Sequence, residues 1–279
     1  MSFAFTEQPA NGYFIRDLLV FEGLNAGGFV AKGFVVHPPD FNNSQISELN
    51  QFQDQLSVLL ASLSDNQRLQ VQWFCDSNYQ HELLRYQAET ERATNLWTRR
   101  ARNERFARYW SMMTNRQLRR QRLIFYISRA IDKSVSAAET RHGKTRHYEY
   151  VLDQLQQEFS QVHETLNGIF GVQGTRIVAM TDLDHYRHYK TFLNPSLAER
   201  FDYDIAESFD SENSIQENCW HSEAAAQEDF GFFMDGHYHS IIVLSRWPRM
   251  TFPGIIHRLT NLRLLDYAIT VNVDPLTVR

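Results

Sequence analysis

Apolar positions change their period twice in the first third of the chain. Between 12 and 40 they form short runs, "GYFIRDLLVFEG" (12–23) and "GFVAKGFVVHPPD" (28–40), rich in Val, Phe and Ile, as strands are. Ala26-Gly27-Gly28 supplies turn chemistry between the runs, so they are predicted to pair as a hairpin. Pro38-Pro39 ends the second run, because proline cannot donate to a ladder and restricts the residue before it. Ile46, Leu49, Phe52, Leu56, Leu59, Leu60 and Leu63 then recur three and four apart. That spacing predicts a helix from about 44 to 63, capped by Ser44. "RLQVQWFCD" (68–76) returns to alternation and predicts a third strand.

Residues 77–121 contain no Gly or Pro and many good helix formers, which predicts a helical insertion. As one helix it would be roughly 65 Å long, longer than a small domain, so a helical hairpin or a broken helix is expected. "RLIFYISRAI" (122–131) reads as a buried strand, and 133–147 as a polar loop. Tyr148, Val151, Leu155, Phe159, Val162, Leu166 and Ile169 follow a near-heptad rhythm that Gly171 stops. A strand at 175–182 and a short helix ending at Asn194-Pro195 follow.

The stretch 201–229 reads as acidic and irregular, and Asp235-Gly236 predicts a tight hairpin within 230–249. A helical segment near Ile255 to Leu262 and an alternating strand from Tyr267 to Val273 complete the chain. Two strand–helix–strand units emerge, 28–76 and 122–182. The expected fold is α+β: a mixed or antiparallel sheet in the split, ferredoxin-like arrangement, with both helices on one face and the insertion 77–121 between the units.

Composition adds little until charge is followed along the chain. With 43% apolar residues the 279-residue chain can bury a substantial core. Cys75 and Cys219 are too few for a disulfide framework, and no apolar run is long enough to span a bilayer; a cytosolic protein is expected. The net charge of −5 hides two blocks. Ten arginines face one acid, Glu104, between Arg92 and Arg122, whereas nine acids and no Lys or Arg lie between Asp202 and Asp229. Such blocks mark solvated insertions or partner faces more often than catalytic sites.

Three constellations invite a chemical reading. Gly143-Lys144-Thr145 has the last letters of a phosphate-binding loop, which needs G-x-x-x-x-G-K-[ST] directly after a buried strand. Here the first glycine is replaced by Ala138, and about ten residues separate strand and motif. No nucleotide site is therefore expected in this chain. His185, His188, Cys219 and His221 could be imagined as a zinc set, but the spacing is loose, and surface or partner-facing histidines are expected. No catalytic, cofactor or metal-binding residue is assigned, so the chain by itself is not expected to be an enzyme. The third constellation is the arginine block. Phe106, Tyr109, Trp110 and Met113 share a helix face that extends back to Arg99 and Arg102. Arg99, Arg102, Arg105, Phe106, Tyr109 and Trp110 are the candidate partner-binding residues. Such a face could dock an acidic protein surface, stack nucleic-acid bases or meet anionic lipid, or pair internally with the 202–229 acids.

Several longer phrases occur together: "RLIFYISRAI" (122–131), "HYEYVLDQLQQEFSQVHETLNGIFGVQGTRIVAM" (147–180), "YKTFLNP" (189–195), "DGHYHSIIVLSRWPRMTFPGIIHRLTNL" (235–262) and "YAITVNVDPL" (267–276). Their order and spacing resemble the N-terminal region of the traffic ATPases of conjugative transfer and type IV secretion. The resemblance covers nearly the whole chain, weakly before residue 120. It implies that 1–279 is a docking and regulatory domain preceding a RecA-like motor that would carry ATP and magnesium. It further implies a full-length hexameric or dimeric ATPase, cytoplasmic and peripheral to the bacterial inner membrane, that meets channel components and energises pilus assembly and substrate transfer. The alternative is a free-standing nucleic-acid-binding protein using residues 92–122.

Overall fold

A computed structural model describes residues 11–22, 28–38, 46–131, 141–171, 174–198, 205–221, 224–227, 231–243 and 266–274. The elements are β1 (Asn11–Ile15), β2 (Leu18–Glu22), β3 (Phe29–His37), α1 (Ile46–Ser62), β4 (Gln67–Asp76), α2 (Gln80–Glu91) and α3 (Leu96–Thr114). There follow β5 (Arg120–Ala130), α4 (Arg141–Phe170), β6 (Arg176–Ala179), α5 (Asp182–Leu193) and α6 (Ile215–Cys219). The last strands are β7 (Ala224–Gln227), β8 (Gly231–Met234), β9 (His237–His239) and β10 (Tyr267–Val273).

The two expected units form one antiparallel sheet in the order β6-β3-β5-β4, and the fold is α+β. β3 pairs with β5 along its length and divides its other edge. Leu19–Phe21 of β2 take the Phe29–Ala31 part, and Arg176–Ala179 of β6 take Phe34–His37. β10 extends the far side by pairing with β4. Separately, β7, β8 and β9 form a three-stranded sheet. Its β8–β9 turn is the expected Asp235-Gly236, both in the left-handed region.

The period of two along β3 and β5 sorts their side chains between two cores. Val30, Phe34, Val36, Phe125 and Ile127 face α1 and α4, packing with Leu59, Leu152, Leu155, Phe159, Leu166 and Phe170. Ala31, Ile124 and Tyr126 face the other way, toward Tyr186 on α5 and Ile215 and Cys219 on α6. Burial on both faces explains why the middle of "RLIFYISRAI", Leu123 to Ile127, is an unbroken apolar run rather than an alternating one. Removing a side chain such as Phe34 or Ile127 from water contributes about 1.5–3 kcal/mol each.

Several expectations are corrected. The run 12–23 is two strands, because Arg16 and Asp17 adopt positive φ and turn the chain back with Ile15 opposite Leu18. Asp17 Oδ1 then accepts from the Asp182 backbone N–H, tying this turn to the start of α5. α4 begins at Arg141, inside the segment read as a loop. The acidic stretch is not irregular throughout: it contains a 3-10 turn at Ile205–Ser208, α6 and β7. α6 starts on a Ser214/Glu217 capping box, a pattern present in the letters. Beyond His239, residues 240–243 are not strand. Ser44, Ala138 and the segment Ile255 to Leu262 lie outside the described residues.

The sheet and α5 come into close contact at Gly33. A Cβ there would lie 2.6 Å from His185 Cε1, 2.7 Å from Met180 Sδ and 2.9 Å from Tyr126 Cε1. In an open strand, alanine would restrict the unfolded chain and stabilise the protein slightly. Here overpacking wins, and Gly33→Ala is expected to cost about 1–3 kcal/mol. Urea unfolding should show a lower midpoint at unchanged slope; an unaltered midpoint would refute the tight contact.

Candidate functional site: the arginine hairpin

The insertion is a helical hairpin, α2 packed against α3, that leaves the sheet between β4 and β5. Its root is organised by Asp76, at the end of β4 and almost fully buried. Asp76 Oδ2 accepts from Arg122 at 2.7 Å, and Oδ1 lies 3.3 Å from Arg120 Nε. Oδ1 also accepts the Asn78 backbone N–H, and Asn78 Oδ1 accepts the N–H of Gln80, turning the chain into α2. Arg120 reaches Glu82 at 2.7 Å on the first turn of α2, linking strand to helix. Burial opposes the Arg120 charge, but Asp76 and Glu82 outweigh it and raise its pKa. Arg122 is shifted down by burial and then by Arg120; its guanidinium lies over the Phe74 ring.

At the far end, Asn95 caps α3 by accepting from Trp97 and Thr98 N–H groups. Arg99 donates to the Glu91 carbonyl at 2.7 Å and Arg102 to the Glu89 carbonyl at 3.4 Å. Two cations thus satisfy carbonyls in the last turn of α2, where the helix dipole favours positive charge. Arg102 also sits 5.0 Å from the centroid of the Tyr86 ring. Phe106 and Trp110 pack together at 5.3 Å between centroids, and buried Met113 accepts the Tyr79 N–H through its sulfur.

The six candidate residues therefore divide by helical phase. Arg99, Arg102, Phe106 and Trp110 lie on the stripe that ends at buried Met113, the side turned to α2. Arg105 and Tyr109 lie outward. With Ala101, Glu104, Arg108 and Met112 they line an open groove of about 460 Å³ made by one face of α3 alone. Trp97, one turn before Ala101, is 77% exposed, and Leu96 beside it 76%. Trp97, Arg108 and Met112 were missing from the candidate set. The signal that finds them is phase: the strongest apolar stripe of a hairpin helix must face its partner helix, so a docking face lies opposite it. Internal pairing of the arginines with the acidic segment, one of the alternatives for this face, does not occur among the described residues, where Arg100 pairs instead with Glu104.

The other two constellations are placed differently. Gly143-Lys144-Thr145 lies within the first turn of α4. His185 and His188, expected at the surface, are fully buried between α5 and the sheet. His188 Nε2–H donates to Gln72 Oε1 at 2.7 Å, while both ring nitrogens of His185 lack partners among the described residues. Cys219 is buried against β1, and His221 Nε2 donates to the Asn218 carbonyl. Among the described residues no three His, Cys, Asp or Glu side chains come together to hold a metal.

Two consequences follow from this geometry. Removing Asp76 leaves two arginines without their shared carboxylate, so Asp76→Ala is expected to cost about 3–5 kcal/mol. Hydrogen exchange should accelerate across α2 and α3 before the sheet, and equal protection throughout would refute the root assignment. Burial, with Lys32 adding to it, lowers His185 to about 3. The unfolded chain, with an ordinary imidazole near 6.5, binds more protons between those values, so stability falls as pH drops from about 6.5 toward 3. His185→Leu removes the unpartnered nitrogens and should flatten that decline in urea midpoints; an equally steep decline would assign it to other groups.

Compared with protein-family models and with curated proteins, the chain matches none.

Proposed function

We propose that this chain is a non-catalytic docking and regulatory domain of a conjugative-transfer or type IV secretion ATPase. It works in the cytoplasm at the inner membrane, and the nucleotide chemistry belongs to an associated RecA-like motor. The family assignment draws on the ordered sequence phrases between 122 and 276. The observation that carries docking is the outward face of α3, with Trp97, Arg105, Arg108 and Tyr109 exposed on a hairpin secured at both ends. Trp, Tyr and Arg are the residue types that dominate interface energetics. Secured helices present them with little ordering cost on binding. Among the described residues no helix is long and apolar enough to cross a membrane.

Arg105, Arg108 and Tyr109 on one face also support a second reading, in which the face neutralises phosphates and stacks a base. One experiment separates the two. A photo-cross-linking amino acid at Ala101 should capture an integral inner-membrane protein of the secretion channel in cells. The same probe at Trp110, on the α2 side, should not. Absence of such a cross-link, together with binding to single-stranded DNA that weakens with salt and is lost in Arg105→Glu/Arg108→Glu, would replace docking by nucleic-acid binding.

A further inference from the structure

We infer that the outward face of α3 docks onto the acidic surface around α6 of a second copy of this chain. The inference shares with the docking reading only the premise that this face binds a protein, and it names a second copy as the occupant in place of a channel component. Arg105 and Arg108 are exposed, and among the described residues neither forms an ion pair. Among the described residues, opposite charge free of intervening cations gathers around α6: Glu207, Asp210, Glu212 and Glu217 are all exposed, with no Lys or Arg between residues 202 and 229. Trp220, 45% exposed, adds an apolar group beside them.

The acidic surface is built rather than loose. The Asn218 side chain donates to the carbonyls of Asp210 and Asn213 and accepts the Asp210 N–H, closing the loop before α6. Beneath it Lys190, almost fully buried, donates to the Asn218 carbonyl at 2.6 Å and lies 5.3 Å from the centroid of the Tyr186 ring. Asn194 donates to the Cys219 carbonyl. Glu217 is occupied by its capping box and Asp210 by the Glu212 backbone N–H and the Asn213 side-chain amide. Glu207 and Glu212 are therefore the carboxylates best able to meet a guanidinium.

The two surfaces belong to different parts of the fold, and the inferred contact joins two copies. α6 packs on β1, at one side of the sheet, whereas the hairpin leaves from the β4–β5 connection. In the order β1-β2-β3-β5-β4 these strands stand about 19 Å apart at ~4.8 Å per step. No ion pair among the described residues joins the two surfaces. Two different surfaces on one chain give a head-to-tail contact, which propagates until a ring closes or a filament grows.

Sedimentation of the purified chain tests this. The wild-type chain should associate with rising concentration at low salt and dissociate at high salt. Arg105→Gln/Arg108→Gln and Glu207→Gln/Glu212→Gln should each weaken association by about tenfold or more, with melting temperatures unchanged. Mixed together, the two variants should form a 1:1 dimer and nothing larger, since each keeps one intact surface. A wild-type chain that stays monomeric at every concentration and salt, or a mixture that forms no dimer, overturns the inference. Cross-links from Ala101 to a channel protein would then still support the docking reading; a mixed dimer without them would keep the self-contact and discard the channel.

Discussion

Burial of β3 and β5 on both faces is the constraint that orders the rest of the molecule. A strand hidden on one side needs one covering layer, but these two need α1 and α4 on one side and α5 and α6 on the other. The second layer is short and polar, so polar groups are carried into the interior with it. Lys190, Asn194 and Asn218 are bonded to backbone carbonyls there, and His188 to Gln72. A buried polar group without a partner costs about 1–3 kcal/mol. That cost explains why α5, the loop before α6 and the turn at Asp17 are cross-tied, rather than merely packed by apolar contact.

The same constraint decides where an insertion is tolerated. β4 and β5 are antiparallel neighbours, so a tight turn would suffice to connect them. A hairpin placed there leaves the strand ends without passing through either covering layer, and lengthening a surface connection is entropically cheap. What remains is to fix its direction. Asp76 does so by holding Arg120 and Arg122 beside the first turn of α2, and Arg99 and Arg102 lock the far turn. With one side of α3 used against α2, its other side is left to solvent.

Period made the split sheet legible from the letters. The alternation in 68–76 and the heptad rhythm after Tyr148 are local signals that survive folding, and both units occupy the expected order. What escaped depends on partners distant in sequence. Arg16-Asp17 carries none of the usual turn glycine or asparagine; its positive φ values are held in place by pairing of β1 with β2 and by the bond to Asp182. His185 and His188 look like surface residues among acids and tyrosines until Gly33 opens room for the first. The stripe from Arg99 to Met113 was visible, but an apolar stripe marks the side that is already buried. Read with that rule, the proposed docking face belongs opposite it, at Trp97, Arg105, Arg108 and Met112.

The placement of individual arginines also weighs the competing uses of the basic block. As a run of letters it resembles a polyanion-binding segment. In the folded chain Arg99 and Arg102 bond the end of α2, Arg100 pairs with Glu104, Arg119 with Asp266, and Arg120 and Arg122 with Asp76. Binding to a phosphate backbone gains affinity roughly with the number of phosphates neutralised, because each releases counterions. A face led by Arg105 and Arg108 can neutralise few, which leaves polyanion affinity modest and its salt slope shallow. A protein surface asks for less charge and more shape. Two guanidinium groups flanked by Trp97, Tyr109 and Met112 combine directional charge with apolar area at the centre of a contact. This geometry supports the proposed reading, a folded acidic partner, better than the nucleic-acid alternative, despite the arginine-rich sequence from which the face is built.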